Sequence, residues 1–337
     1  MPNQRVELGK ELGVFDYSSG STRRYDLPVT GYIKKLTVEL SAVSVVTTAG
    51  PGVALIRNPG SLIPSLQVIG NGKDVIKQMS FNHYRDFMYM AQRLPTETAD
   101  SAAANTTTVV STIDIFFENP LGVNPGDTIL DCVNQFSKLE LGVSWASYED
   151  GVVNAATSAA FTTDPTIRVT ADIDYHPPAR GVRGVFRQYE TILDSLSTGT
   201  STARNIELVT GENREYNSFL IVAEDDLTTA AGGLNLENAL TSIELRQIGR
   251  NTTSPFGPKT GGMIQQEFFR KSRTPETAAP TGLYPIPFVA MAGDGLDSYN
   301  AKTYDLKDFR FVIDQSTAFT TNGQITVLEG IIDKTSV

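Results

Sequence analysis

Residues 61–92, SLIPSLQVIGNGKDVIKQMSFNHYRDFMYMAQ, carry the pattern that most narrows the fold. They read as a strand at 66–69, a tight turn at Gly70-Asn71-Gly72, a second strand at 75–79 and a short amphipathic helix. An Asn-Gly pair between two apolar runs is a strong hairpin signal, because both residues tolerate positive φ. The same order returns at 239–273: a strand at 243–248, a turn at Gly249-Arg250-Asn251, a polar loop, and a helix around 263–271. Other landmarks repeat in step. The spacing is 184 residues from Leu36 to Leu220, 179 from Ile69 to Ile248, 181 from Phe87 to Phe268, 170 from Leu139 to Phe309 and 158 from Ile167 to Ile325. Order is kept while the later loops shorten, as two diverged copies of one fold would do.

Between these landmarks the chain alternates with period two. Leu36, Val38, Leu40 and Ala42 fall on one face, Lys35, Thr37, Glu39 and Ser41 on the other. Alternation also turns Leu139, Leu141, Val143 and Trp145 inward, and sets Ile167, Val169, Ala171, Ile173 and Tyr175 against Arg168, Thr170, Asp172 and Asp174. Successive strand residues point to opposite faces, so this pattern marks half-buried strands of antiparallel sheets. Val, Ile, Thr, Tyr and Phe recur in short runs separated by Gly, Pro, Asn and Asp, as in an all-β chain. The expected fold is all-β: two tandem eight-stranded jelly rolls, a double jelly roll, each with a short helix inserted after its fourth or fifth strand.

The expected organisation is an N-terminal arm at 1–20 that orders only against a neighbour, a first jelly roll at 21–176, a linker at 177–188 and a second jelly roll at 189–337. His176-Pro177-Pro178 and the glycines Gly181 and Gly184 place the linker, since such a run cannot continue a central strand. In the first helix, Phe81, Tyr84, Phe87, Met88 and Ala91 form one apolar stripe, with His83 off it.

Composition narrows the function. The formal net charge is −10, whereas a chain that grips phosphate backbones presents a basic surface. No direct nucleic-acid partner is expected. Arg23, Arg24, Lys34 and Lys35 form a small basic cluster, read as a solvated strand face. Cys132 is the single cysteine, which leaves no intrachain disulfide and no thiolate metal site; a core thiol is expected. No apolar run approaches the ~20 residues that span a bilayer, and MPNQRVELGKELG lacks an apolar leader, so synthesis in the cytoplasm is expected.

No catalytic constellation emerges. His83 and His176 fall in different halves, so the His and carboxylate cluster of a metal-dependent jelly-roll enzyme is missing. There is no Gly-x-Ser-x-Gly elbow. Gly257-Pro258-Lys259-Thr260 lacks the leading glycine and the Gly-Lys adjacency of a phosphate loop. Gly181-Val182-Arg183-Gly184 lacks the flanking helices of an RNA-clamping loop. Acidic groupings at Glu224-Asp225-Asp226 and at Asp294 and Asp297 offer the oxygen ligands that calcium takes from loops, with solvated turns as the plainer reading. The expectation is a non-enzyme with no catalytic, cofactor or metal residues, structural calcium at Asp294 and Asp297 being the alternative. For function, the alternative is a tandem β-sandwich that binds carbohydrate or acts in adhesion. Its mark is an exposed aromatic stripe, and Tyr84, Tyr89, Tyr148, Tyr284 and Tyr299 are scattered.

Tyr25-Asp26-Leu27-Pro28 leads into Gly31-Tyr32-Ile33-Lys34-Lys35-Leu36-Thr37-Val38, and Ile63-Pro64-Ser65-Leu66-Gln67-Val68-Ile69-Gly70-Asn71-Gly72 has a helix behind it. In these short motifs, and in architecture over most of its length, the chain resembles the double jelly-roll major capsid proteins of tailless, icosahedral, membrane-containing bacterial viruses, the tectivirus and corticovirus type. The resemblance implies a structural subunit of the virion shell: a homotrimer whose six barrels make a pseudo-hexagonal capsomer. Neighbouring capsomers, penton and minor capsid proteins are its implied partners, and the shell encloses an internal lipid membrane. It further implies that the N-terminal arm and residues 333–337 lock capsomers together or face that membrane. The chain is compact for the group, so large towers are not expected.

Overall fold

Tandem duplication is visible in the strand order. The computed structural model describes residues 6–46, 53–54, 58–92, 101–102, 107–122, 125–147, 159–178, 181–196, 201–208, 214–224, 240–248, 252–272, 282–288, 308–315 and 323–334. The chain divides into two units, the first made of Met1–Pro120, Asn124–Gln188 and Thr228–Ala230, the second of Leu121–Val123, Tyr189–Leu227 and Ala231–Val337.

In the first unit the strands are β1 (Val6–Asp16), β2 (Thr22–Leu27), β3 (Tyr32–Val46), β4 (Val53–Ala54), β5 (Ser65–Gly70), β6 (Asp74–Met79), β7 (Ser101–Ala102), β8 (Thr107–Phe116), β9 (Leu130–Asp131), β10 (Leu139–Ser144) and β11 (Ala159–Asp174), with helix α1 (Phe81–Gln92) after β6. β4, β7 and β9 are two residues each, which leaves eight principal strands. One sheet runs β1-β11-β3-β8 and the other contains β6-β5-β10-β2. Counted among the eight, these orders are 1-8-3-6 and 5-4-7-2. Strands from the two ends of the unit interleave, as Greek-key connections in a jelly roll require.

β12 (Gly184–Leu196) begins within the first unit and ends in the second. The second unit continues with β13 (Ser201–Glu207), β14 (Arg214–Glu224), β15 (Leu240–Ile248), β16 (Thr252–Lys259), helix α2 (Gly261–Ser272), β17 (Leu283–Pro287), β18 (Asp308–Gln315) and β19 (Gly323–Lys334). Its sheets contain β17-β14-β19-β12 and β13-β18-β15-β16. With β12 counted as first, the orders are 6-3-8-1 and 2-7-4-5, the same permutation. Each unit is thus a jelly roll, with its helix between the fifth and sixth strands.

Local chemistry explains the matching elements. The β5–β6 hairpin turns on Asn71 (φ 51°) and Gly72 (φ 77°), the positive-φ pair that suits the strands' twist. Asn71 Oδ1 accepts from the Ser137 backbone N–H at 2.9 Å, tying the turn to the start of β10. Both helices open on a hydroxyl cap: Ser80 Oγ accepts from His83 N–H at 3.1 Å, and Thr260 Oγ1 from Met263 N–H at 3.2 Å. The core of the second unit is aromatic. Phe219 meets Phe311 edge-on at 5.0 Å, and Tyr216 lies 4.9 Å from Phe309. Each such buried ring contributes about 1.5–3 kcal/mol by leaving water.

Four expectations are corrected. The supposed arm is in part β1, antiparallel to β11 of its own chain, with Gly9 N–H donating to Asp172 Oδ1 at 2.8 Å and Arg168 paired to Glu11 at 2.7 Å. Residues 184–188 of the supposed linker already belong to β12. The polar loop before α2 is the strand β16, an edge strand that accommodates Pro255 and Pro258 because its outer N–H groups need no ladder partner. Finally, α1 has no single apolar stripe: every residue from Phe81 to Met90 is buried, His83 included. It packs against β8 and the 3₁₀ turn at Asn58–Leu62, where Gln92 and the Met88 sulfur engage Asp114.

Candidate functional site

The residues that the sequence offers for chemistry are not brought together. His83 lies buried within α1, and His176 stands 4.0 Å from Asp174 at the end of β11. Cys132 is buried, and desolvation aided by the Asp131 charge pushes its thiol up to about 12, which keeps it protonated and unreactive. Glu224 Oε2 accepts from the Gln324 amide at 2.5 Å. Asp225, Asp226, Asp294 and Asp297 lie outside the described residues. Among the described residues, no group of three or more His, Cys, Asp or Glu side chains is placed to hold a metal ion.

Lys259, in the loop-like Gly257-Pro258-Lys259-Thr260, closes β16 and pairs with Glu267 of α2 at 2.7 Å, 4.7 Å above the Phe256 ring. Its charge serves packing between strand and helix. The basic cluster is likewise matched by carboxylates: Lys34 by Glu118 at 3.7 Å, Lys35 by Asp114 at 2.8 Å, and Arg24 by Glu140 at 3.9 Å. Tyr84, Tyr89 and Tyr284 are buried and so present no ring to a sugar, while Tyr148 and Tyr299 fall outside the described residues.

What the structure adds is one surface and two buried charges. β1 forms the edge of its sheet, and none of its eleven side chains is buried. Val6, Leu8 and Val14 stand 43%, 75% and 52% exposed, an apolar presence along a strand whose outer edge has no partner strand among the described residues. Lys77 on β6 is fully buried, its Nζ donating to Phe186 O at 2.7 Å and Gln188 Oε1 at 2.9 Å. Glu329 on β19 is fully buried too, with Oε1 accepting from Thr191 at 2.8 Å. Sequence reading passed over both, although each interrupts an apolar face: Lys77 precedes Met79 by two, and Glu329 sits between Val327 and Ile331. A charge at an inward-facing strand position was the available signal.

Two jelly rolls of identical strand order in one chain define a double jelly roll. No protein-family model matches the chain, and no curated protein does. Solved structures do match. The STIV MCP superposes with TM-score 0.67 at 10% identity, covering 98% of this chain and 97% of that one. The PBCV-1 virus capsid gives 0.65 at 14% identity, with 98% and 95% covered. The major capsid protein P2 from Bacteriophage PM2 gives 0.62 at 12% identity, with 99% and 98% covered. At these identities the likeness is one of fold, and it extends over the whole length of both partners.

Proposed function

We propose that this chain is a major capsid protein, a structural subunit of an icosahedral virion with no enzymatic activity. The observation that carries the reading is the double jelly roll itself, shared end to end with the STIV MCP and the PM2 protein P2 at 97% and 98% coverage of their chains. The finer reading is a homotrimer whose six barrels form a pseudo-hexagonal capsomer, in a shell that encloses a lipid membrane and joins penton and minor capsid proteins. Two equivalent barrels per chain on a threefold axis yield a nearly sixfold outline from one polypeptide, so a single subunit can tile a lattice. The net charge of −10 favours it as well, since mutual repulsion keeps free subunits apart until specific contacts form.

Light scattering on the purified chain tests the trimer: a mass three times the 36.5 kDa subunit is expected, and a strict monomer at micromolar concentration counts against it. Mass spectrometry of virions purified from cells that make the chain tests the larger claim. The chain is expected as the most abundant virion protein, and its absence there would sink the capsid reading.

A further inference from the structure

Glu329 stands where an acid is costly. It shares the inward face of β19 with Ile325, Val327 and Ile331, members of the apolar core of the second unit. Opposite it in register is Phe219 of β14. Among the described residues, Thr191 of β12 supplies the single donor, to Oε1, and Oε2 is buried without a hydrogen-bond partner. The ionisable groups near it are Tyr216 and Arg214 of β14 and, further along β19, Asp333, which Arg214 engages at 3.2 Å. From the other sheet the described core side chains facing in are apolar, among them Phe309, Phe311 and Leu245. A buried carboxylate with one donor and a spare lone-pair oxygen is poorly satisfied, whereas the protonated acid places only a neutral group there.

We propose that Glu329 is a proton-sensitive element of the second jelly roll, which is firm in mildly acidic solution and loosened on passage to neutral pH. Burial pushes the carboxyl up to about 7 from the ordinary 4.5, with Thr191 and Arg214 pulling it back in part. The unfolded chain therefore gives up this proton near 4.5 and the folded unit near 7. Stabilisation from the neutral acid is complete below 4.5, falls as pH rises, and is gone above about 7. In the middle of that window the folding constant falls by close to tenfold per pH unit, and between pH 5 and 7 by roughly fortyfold. The inference does not depend on the capsid reading.

Hydrogen exchange of the β14 and β19 amides, measured on the full chain from pH 5 to 8 and corrected for intrinsic rate, tests it. Protection in the wild type is expected to fall by roughly fortyfold relative to Glu329→Gln between pH 5 and 7. Parallel profiles for the two proteins would overturn the proposal. Should Glu329→Gln not fold, titration of 13C-labelled glutamate in the wild type by NMR decides: a carboxyl midpoint near 7 supports it, and the absence of any raised midpoint refutes it. Thr191→Val removes the donor that favours the charged form, so it is expected to move the midpoint upward. An unmoved midpoint would exclude Glu329 as the titrating group.

Discussion

Replacing Lys77 by Met keeps the length and most of the volume of the side chain but deletes its amine. In the wild type that amine is sealed in the first unit, with the Phe186 ring 4.4 Å and the Phe117 ring 5.4 Å from Nζ. Among the described residues no carboxylate pairs with it, and burial, reinforced by the Arg187 charge, holds the ammonium well below its ordinary 10.5. The Met variant strands Phe186 O and Gln188 Oε1 without this donor, at about 1–3 kcal/mol each. It also removes a costly buried amine, so a net loss of about 1–4 kcal/mol at neutral pH is expected. The pH dependence is the sharper signature. A lysine with a depressed folded pKa contributes most above the unfolded value of 10.5, and that contribution is lost as pH falls toward the folded pKa. The advantage of wild type over Lys77→Met should therefore widen by about 1.4 kcal/mol per pH unit inside the window. Urea titrations of both proteins at mildly and strongly alkaline pH measure it directly. An advantage that stays constant would mean that Lys77 keeps an ordinary ammonium, and the reasoning from burial would fail.

Other substitutions separate folding from assembly. The double variant Leu8→Ser, Val14→Ser alters side chains 75% and 52% exposed, so its subunit stability should stay within about 0.5 kcal/mol of wild type. If β1 lies at a contact between copies, light scattering should nevertheless show weakened trimers; undiminished trimers would remove β1 from that contact. Gly31→Ala should cost about 1–3 kcal/mol in urea titrations. Its φ is +72°, and an added Cβ meets Asp174 O and the Ile173 side chain, each at 2.8 Å.

The sequence exposed the duplication because alternation survives in strands with one wet face. β3 and β11 read clearly: Leu36 and Ile167 are buried, while Lys35 and Arg168 on the outer faces pair with Asp114 and Glu11. β10 is buried from Leu139 to Val143 and alternates only because Glu140 and Gly142 interrupt its apolar run. Both first strands escaped notice, for different reasons. β1 is held by its ladder with β11 and by polar ties, so VELGKELGVFD has no apolar rhythm to find. β12 follows a run of prolines and glycines and puts Gln188 on a buried position, where the Lys77 amine meets it. β16 was masked by its prolines, which an edge position tolerates. In α1 the misleading residues are Asn82, Arg85 and Asp86, all buried, because neighbours cover more than one side of that helix. Period and polarity report how many faces of an element are covered, and here the helix was covered beyond what one stripe can encode.

Lys77 on a strand of the first jelly roll and Glu329 on a strand of the second are both fully buried, and the two are ionisable groups of opposite sign. Lys77 makes the first unit gain stability as pH rises toward 10.5, while Glu329 makes the second lose it between 4.5 and about 7. Copies that share a strand order have thus diverged in their response to protons, and the divergence is observable because Trp145, the single tryptophan, is buried in the first unit alone. Tryptophan emission follows that unit, and exchange of the β14 and β19 amides follows the other. Raising the pH toward 10.5 should shift the urea midpoint of Trp145 emission upward relative to Lys77→Met, while between about pH 5 and 7 the β14 and β19 amides lose protection relative to Glu329→Gln. Two probes that move together, with no difference from their paired variants, would show that the pH response belongs to surface carboxylates common to both units and not to the two buried groups.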